Sequence, residues 1–172
     1  MIFRPVNRPL LPDAIPIDSP DRRRLPILLR HAWYGLNQAF RRRIVHTGVT
    51  PDQFTVLRIL IEGDARGMTQ RELTRRMGSD PNTIASLLER MEGNDLVARR
   101  PHERDRRAHR IVLLSTGRRK YKQVREIAIH LQTEVLGPIP PDRREEFLSD
   151  LDRVAEGCRQ AAQESPRRAP RG

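Results

Sequence analysis

Residues 68–93 read MTQRELTRRMGSDPNTIASLLERMEG, and this stretch decides the predicted fold. Thr69 precedes Glu72 by three residues, which is the spacing of a capping box at a helix start. Gly78 is the residue type that most often ends a helix, and Asp80 before a proline starts another one. The stretch therefore predicts two short helices separated by about three residues, which is the spacing of a helix-turn-helix.

The hydrophobic period changes after Gly93. LVARR and RIVLL are short runs rich in branched apolar residues, and a polar loop at 101–109 joins them. Such runs joined by a polar loop are typical of a β-hairpin. A hairpin that directly follows a helix-turn-helix predicts a winged helix.

Longer helices are predicted on both sides of this unit. Apolar residues at spacings of three and four predict a helix of about twenty residues from Leu25, and Trp33 suggests that it buries a large face. A second capping box, Thr50 with Gln53, starts the next helix. Similar patterns predict a long helix from about Ser115 and then a last helix. The apolar stripe of the last helix consists of Phe147, Leu151, Val154, Cys158 and Ala161.

The predicted organisation is one folded unit between two tails. Residues 1–24 are rich in proline and arginine and residues 164–172 lack hydrophobic periodicity, so both are expected to be flexible. The folded unit covers 25–163, with the winged helix-turn-helix at about 50–114. The predicted fold class is mainly α with a small β-hairpin wing, in which long helices flank the winged helix-turn-helix.

The charge of the chain indicates an anionic partner for its winged half. The net charge is +11, but only two of the 33 basic residues are lysines, so a codon bias toward arginine is an alternative explanation. Residues 66–125 contain 16 basic residues against 7 acids, whereas residues 140–164 contain 4 against 7. A uniform codon bias would not concentrate the positive charge in this way.

Two groups of polar residues suit DNA recognition. Removing the apolar positions of the second short helix leaves short polar side chains and one arginine on the opposite face, the types that read base edges and phosphates in the major groove. They are Asn82, Thr83, Ser86 and Arg90. An ordinary solvated helix face is the alternative interpretation.

The hairpin loop lies within RRPHERDRRAHR, residues 99–110, where six of twelve residues are arginine. A basic wing can follow the DNA backbone or enter the minor groove, where negative potential attracts arginine. We interpret Asp105 as a residue that orients Arg107 through a charge-assisted pair, so that less side-chain entropy is lost on binding. The alternative is that Glu103 and Asp105 only dilute the local positive charge.

Other classes of protein find little support. The sequence has no glycine-rich phosphate loop, no His-Glu metal motif and no nucleophile elbow, so neither an enzyme nor a resident cofactor is expected. The histidines do not cluster at metal-ligand spacing. No apolar run reaches the length of a membrane span, and the chain is expected to be cytoplasmic. Cys158, the single cysteine, is expected to be buried and inert because it lies on an apolar stripe.

From about Leu25 to Cys158 the chain resembles the MarR (multiple antibiotic resistance regulator) family of transcription factors. The resemblance rests on TPDQFTVLRIL at 50–60, on the stretch quoted above, on the hairpin with its Asp-x-Arg, and on Gly117. It implies a homodimer in which the helices of residues 25–47 and 115–163 interlock. Two winged lobes would then bind a palindromic DNA operator, and a small ligand would release it.

The resemblance and the residues together predict two sets of site residues. The DNA-binding set is Thr69, Gln70, Arg71, Asn82, Thr83, Ser86, Arg90, Arg100, Arg106 and Arg107, with Asp105 as the wing-orienting residue. The family's ligand pocket implies a site for an aromatic carboxylate or phenol. Its candidate residues are His31, Trp33, Tyr34, Asn37, Phe54 and Arg58. The alternative is that Trp33 and Phe54 are simply core.

Two positions depart from the family pattern. Asp95 stands where the family has a glycine, so the turn before the first wing strand must use Asn94 or Asp95 in an unusual conformation. Leu114 replaces the threonine that opens the helix after the wing, so capping is predicted to pass to Ser115 or Thr116. Two alternative functions stay open, a winged-helix protein-interaction module and an architectural DNA binder without an effector. The operator, the effector, the direction of regulation and the role of residues 1–24 cannot be read from the sequence.

Overall fold

The computed structural model describes residues 23–102 and 108–164. The helices are α1 (Leu25–Ile44), α2 (Pro51–Glu62), α3 (Gln70–Met77), α4 (Pro81–Gly93), α5 (Ser115–Val135) and α6 (Arg144–Glu164). The strands are β1 (Met68–Thr69), β2 (Val97–Pro101) and β3 (His109–Leu113). Short 3₁₀ turns at Val45–Thr47 and Pro141–Arg143 complete the described elements.

The predicted helix starts are confirmed by their hydrogen bonds. At α2 the backbone N–H of Gln53 donates to the Thr50 hydroxyl, and the N–H of Thr50 donates to the Gln53 side chain. At α3 the same reciprocal pair joins Thr69 and Glu72. Each capping box satisfies backbone donors that a helix start otherwise leaves without partners. Three of the five described helices after α1 therefore begin where side-chain chemistry places them, since Asp80 caps α4 in a similar way.

The turn between α3 and α4 is built by three residues, as the spacing predicts. Gly78 adopts a left-handed conformation with φ of 58°, which glycine reaches without steric cost. Its N–H donates to the carbonyl of Arg75, and the side-chain amide of Gln70 donates to the carbonyl of Pro81 at 3.2 Å. These bonds hold the two helices of the helix-turn-helix at one angle.

The three strands form one antiparallel sheet in the order β1-β3-β2. Arg99 stands opposite Ile111 and Arg100 stands opposite Arg110, so the predicted hairpin is confirmed. The short strand β1 pairs Met68 with Ile111 and was not predicted, because its two residues also serve as the start of α3. Isolated pairs of residues carry too little alternation to signal a strand.

The hydrophobic core lies in the winged lobe and extends to α5. Its fully buried side chains include Leu57, Leu73, Ile84, Leu88, Met91, Ile111 and Val124. Gly117 lets α5 approach the sheet closely, since a Cβ there would lie 2.2 Å from the Leu96 carbonyl oxygen. The first turn of α5 is thus packed directly against the wing, and movement of one involves the other.

Both departures from the family pattern have a structural outcome. Asp95 adopts φ of 54°, so the predicted use of an unusual turn conformation is confirmed. The predicted capping of α5 by Ser115 or Thr116 is wrong. Leu114 is the N-cap and makes no side-chain capping bond. Its N–H donates to the Leu96 carbonyl, so the sheet rather than a polar side chain sets the start of α5.

The terminal helices leave large apolar surfaces uncovered. No residue of α6 is buried, and Phe147 and Leu151 are exposed. Trp33 is 66% exposed, so the expectation that α1 buries a large face with this residue is wrong for the single chain. Cys158 is also exposed, against the expectation of a buried thiol. The reason is the same in each case, because residues 23–102 and 108–164 do not fold back over these helix faces.

Candidate nucleic-acid interface

The polar face of α4 lies open to solvent. The four residues predicted to read DNA from this helix, Asn82, Thr83, Ser86 and Arg90, are exposed. The opposite face is buried in the core through Ile84, Leu87, Leu88 and Met91. Tertiary packing thus presents the predicted set together on one side of the helix.

The start of α4 fixes the chemistry of this face. Asp80 accepts hydrogen bonds from the backbone N–H groups of Asn82 and Thr83 at 3.0 and 2.9 Å. The Thr83 hydroxyl also donates to the carboxylate of Asp80, and this bond is the largest cause of the lowered pKa of Asp80. Because its proton is committed, the Thr83 hydroxyl is left as an acceptor, which suits the amino groups of adenine or cytosine.

The three residues predicted at the start of α3 have different surroundings. The Thr69 hydroxyl donates to the Glu72 carboxylate at 2.8 Å, and the pKa of Glu72 is lowered, mainly by the bond from the Thr69 backbone. Gln70 is tied to Pro81, as described above. Arg71 is exposed and offers a cation. Thr69 and Gln70 therefore have structural roles that leave Arg71 as the most accessible of the three.

An open cleft joins the start of α3 to the wing. It has a volume of about 300 Å³ and is lined by Thr69, Gln70, Arg71, Arg99, Ala108, His109 and Ile111. Arg99 pairs with Glu92 of α4 at 2.5 Å, so it holds the wing strand on the recognition helix. His109 was missed by sequence reasoning. Because side chains alternate along a strand, the spacing of two residues places His109 on the same face as Ile111, and finding this required only the extent of β3.

The sequence predicted Arg100 to bind DNA, but the structure separates it from the surface that carries Arg71 and Arg99. Successive residues of a strand point to opposite faces of the sheet, so Arg100 and Arg110 lie on the face away from Arg99 and Ile111. A second open cleft of about 370 Å³ on that face contains Arg66 as well. The wing therefore carries arginines on both faces.

The tip of the wing, residues 103–107, lies outside the described residues. Asp105, Arg106 and Arg107 belong to it. The proposed orienting of Arg107 by Asp105 stays a prediction.

The candidate ligand-pocket residues do not form one site. Trp33, Tyr34 and Asn37 line an open groove on α1, where His31 is exposed as well. Phe54 is buried at 4% exposure and Arg58 lies 5.8 Å above its ring. The core interpretation is therefore right for Phe54 and wrong for Trp33 within the single chain.

Phe54 belongs to a small aromatic cluster. Its ring centroid lies 5.3 Å from that of Phe40 and 5.5 Å from that of Tyr121. The three rings come from α1, α2 and α5, so this cluster packs α1 and α5 against the winged lobe. Contacts of this kind are worth about 0.5–1.5 kcal/mol beyond the apolar area they bury.

Next to this cluster lies an open cleft of about 580 Å³ between α2 and α5, lined by Ile61, Arg118, Tyr121, Lys122, Arg125 and Glu126. Its floor is apolar, whereas its rim carries three cations and one carboxylate. Sequence reasoning missed it, although Arg118, Lys122 and Arg125 recur at the spacing of one helix face. An aromatic or aliphatic anion would match both the floor and the rim.

Within residues 23–102 and 108–164, no group of three or more histidine, cysteine or acidic side chains converges to hold a metal ion. None of the helices in the described part of the chain is long and apolar enough to cross a membrane.

Two helices joined by a three-residue turn, followed by a small antiparallel sheet and an exposed polar second helix, define the winged helix-turn-helix class. Residues 47–108 match the model of the MarR family. The chain is also 38% identical over 97 residues to YsmB of Bacillus subtilis (strain 168), an HTH-type transcriptional regulator described as uncharacterized. That match covers 56% of this chain and 64% of YsmB.

Solved structures agree with this class. CouR from Rhodococcus jostii RHA1, bound to p-coumaroyl-CoA, is 26% identical with a TM-score of 0.68, covering 76% of this chain and 90% of CouR. The Mycobacterium tuberculosis regulator MosR, in complex with DNA, is 28% identical with a TM-score of 0.65, covering 80% and 99%. Over residues 47–108 the chain is therefore similar to the MarR family, and its fold is similar to that of the transcription regulators in this family.

Proposed function

We propose that the protein is a transcriptional regulator that binds a palindromic operator in double-stranded DNA as a homodimer. The observation that carries the proposal is the exposed polar face of α4, held by the Asp80 cap and by the α3–α4 turn in a winged helix-turn-helix. A helix presented in this way fits the major groove, with its first residues toward the base edges. The related structure of MosR in complex with DNA supports the same mode.

The charge distribution supports a DNA partner. The excess of basic residues falls on the winged half, and the wing carries arginines on both faces. Contacts from arginine to phosphates supply affinity and position the protein, whereas contacts from α4 to base edges supply specificity. An operator in the chromosome also implies a cytoplasmic location, and no resident cofactor enters the proposal.

The uncovered faces of α1 and α6 support a homodimer. Monomers seldom expose a large contiguous apolar surface, and a second copy of the chain offers the same surface for a two-fold contact. Two winged lobes related by a two-fold axis would meet half-sites about one helical turn apart, which explains the palindrome.

We further propose that a small anionic aromatic or phenolic effector binds the cleft between α2 and α5. CouR is bound to p-coumaroyl-CoA, an anion with an aromatic ring. Arg118, Lys122 and Arg125 would pair with the anionic group while Tyr121 and Ile61 contact the ring. Because α5 is packed against the wing at Gly117, an effector that moves α5 would also move the wing and weaken DNA binding. The protein would then act as a repressor that the effector releases.

A salt series of DNA binding tests the proposed function. Genomic fragments, including the region upstream of this gene, are compared with a random duplex of equal length. We expect one fragment to be bound at least about 10³-fold more tightly than random DNA, with a steep dependence on salt. Equal affinity for all fragments would favour an architectural DNA binder, and no binding at low salt would favour a protein-interaction module.

The effector is tested on the selected fragment by adding p-coumarate or p-coumaroyl-CoA and measuring release of the DNA. We expect release from the wild type, and a higher midpoint concentration for Arg118→Gln combined with Lys122→Gln. Arg153→Gln on α6 removes a charge far from the cleft and serves as the matched control. Equal midpoints for all three proteins would contradict the proposed site.

A further inference from the structure

The sheet of the wing carries a group of arginines that faces away from the recognition helix. We name this group the outer-face cluster, and it consists of Arg66, Arg100 and Arg110. Arg100 and Arg110 stand directly opposite each other on β2 and β3, and Arg66 comes from the turn before β1. The cluster lines an open cleft of about 370 Å³.

The pleat of the sheet separates this cluster from the surface that α4 presents. Met68 and Ile111 point into the core, and Arg99 on the same face reaches Glu92 of α4. Residues one step along each strand point the other way. The outer-face cluster therefore lies on the far side of the wing from α3 and α4.

The arrangement brings two like charges together on neighbouring strands. Like charges directly opposite on an antiparallel pair are destabilising, and Arg100 faces Arg110 in this position. Two of the three arginines are nevertheless held in place. The Arg110 guanidinium donates to the Gly67 carbonyl at 3.0 Å, and Arg66 pairs with Asp64 at 2.7 Å. Three of the described residues that line the cleft are arginines and none is an acid, whereas Asp64 and Glu72 act on Arg110 from outside the lining. Among the described residues the cleft therefore keeps a positive charge that suits an anion.

Under the proposed function, the anion nearest to this cleft is the DNA that lies beyond the wing. Arg100 and Arg110 form the strand pair next to Pro101 and His109, the last pair before the loop that forms the wing tip. One strand residue advances about 3.3 Å, so Arg100 and Arg110 lie close to the end of the hairpin that contacts the duplex under the proposed function. Under the proposed function, the face of the wing that packs on α4 lies beside the half-site that α4 reads. The opposite face then lies beside the sequence that flanks this half-site.

We propose that the outer-face cluster binds the phosphate backbone of DNA that flanks the operator, outside the groove entered by the wing. The inference rests on the proposed function and extends its footprint. Phosphate contacts of this kind add affinity and position the wing without reading sequence. Arginine suits them because its planar guanidinium donates two parallel hydrogen bonds to phosphate oxygens.

Two duplexes that share the selected operator test the proposal. One ends at the outer boundary of wing protection, mapped by hydroxyl-radical footprinting, and the other extends about one helical turn further at each end. The wild type should bind the longer duplex more tightly and with a steeper salt slope. Arg100→Gln should reduce that slope by about one for each lobe and weaken binding to the longer duplex more than binding to the shorter one.

Arg66→Gln is a second variant with the same expected result, and Arg153→Gln on α6 is the control that should change neither duplex. Urea unfolding of each variant verifies that the fold persists. The proposal is overturned if Arg100→Gln weakens both duplexes equally, which would place Arg100 inside the operator contact. It is also overturned if flanking DNA adds nothing for the wild type, which would leave an acidic protein segment as the occupant. Failure of the wild type to bind either duplex would instead remove the proposed function itself.

Discussion

At the scale of single residues, short polar side chains determine where the helix-turn-helix begins and ends. Thr69 and Asp80 each satisfy backbone donors at a helix start, and Gly78 supplies the left-handed turn between them. These three residues make their capping bonds with near neighbours in the sequence, which explains why the sequence predicted them correctly. The hydrogen bonds they make do not depend on the rest of the fold.

The Asp80 cap has a pH dependence that follows from its lowered pKa. Because folding lowers this pKa below the ordinary 3.8, the cap contributes stability at pH values above 3.8 and loses it as the pH falls through the lowered value. Asp80→Ala should therefore lower the free energy of unfolding at pH 7, and the difference from wild type should shrink below about pH 3.8. Urea unfolding at several pH values measures it, with Glu89→Ala on the same helix as the control. A difference that persists at the lowest pH would contradict the assigned cause.

The Asp-x-Arg sequence of the wing has a counterpart elsewhere in the chain. Asp64-Ala65-Arg66 has the same Asp-x-Arg spacing as Asp105-Arg106-Arg107. In Asp64-Ala65-Arg66, the guanidinium of Arg66 lies 2.7 Å from the carboxylate of Asp64. This side-chain hydrogen bond is the main cause that lowers the pKa of Asp64 to about 2. The spacing is therefore sufficient for a charge-assisted pair in this chain.

We expect Arg107→Ala to weaken operator binding and Asp105→Ala to weaken it less. The first removes a contact, whereas the second removes only the group that orients it. Binding curves at one salt concentration measure both effects, and circular dichroism verifies the fold. If Asp105→Ala binds as tightly as the wild type, charge dilution is the better explanation of this carboxylate.

At the scale of elements, the connection from α4 to β2 shows how one backbone conformation sets the position of the wing. Asp95 takes φ of 54°, and the N–H of Leu96 donates to the Met91 carbonyl at 2.9 Å. A left-handed conformation is costly for a residue with a Cβ. The turn nevertheless delivers Leu96 and Val97 into the core, where both are buried.

Asp95→Gly should raise the free energy of unfolding by about 0.5–1 kcal/mol, because glycine adopts this conformation without the steric cost. Asn94→Gly provides the control. Asn94 has φ of −101°, so glycine there gains nothing and should be neutral or destabilising. Chemical denaturation of both variants and the wild type measures their free energies of unfolding. Equal stabilisation by the two glycines would indicate that backbone strain at Asp95 is not the cause.

Helices were predicted more completely than the elements that depend on distant partners. The periodic apolar residues and caps of α2, α3 and α4 are local signals. The strand β1 and the start of α5 are set by bonds to β3 and to Leu96, which are remote in sequence. For the same reason, the packing of the sheet had to be known to say which of Arg99 and Arg100 lies on the side of α4.

At the scale of the whole molecule, the chain consists of a packed winged lobe and terminal helices with uncovered apolar faces. Arg43 on α1 pairs with Glu134 on α5 at 2.8 Å, and Lys120 on α5 donates to the carbonyl of Thr47 at 2.5 Å. These contacts join α1 and α5 within the chain. The apolar stripe of α6 has no comparable cover in the described part of the chain, which is why we assign it to a second copy.

Leu151→Glu should convert the proposed homodimer into monomers, because a carboxylate on the apolar stripe would be desolvated in the interface. Sedimentation equilibrium measures the mass, and operator binding should fall together with dimerisation since a single lobe meets one half-site. Ser149→Glu adds the same charge to an exposed neighbouring position and should leave the dimer intact. A Leu151→Glu protein that remains dimeric would show that α6 is not in the interface.

The winged helix-turn-helix, the polar face of α4 and the capped helix starts could be predicted from the sequence, because each depends on residues within a few positions of one another. Tertiary packing was needed to know which face of the wing Arg100 occupies, that Arg66 and Arg110 join it, and that a cleft opens between α2 and α5. It also showed that Phe54 is core while Trp33 and Cys158 are exposed. These outcomes depend on strand register and on which helix faces the chain covers, and both are set by contacts between residues far apart in sequence.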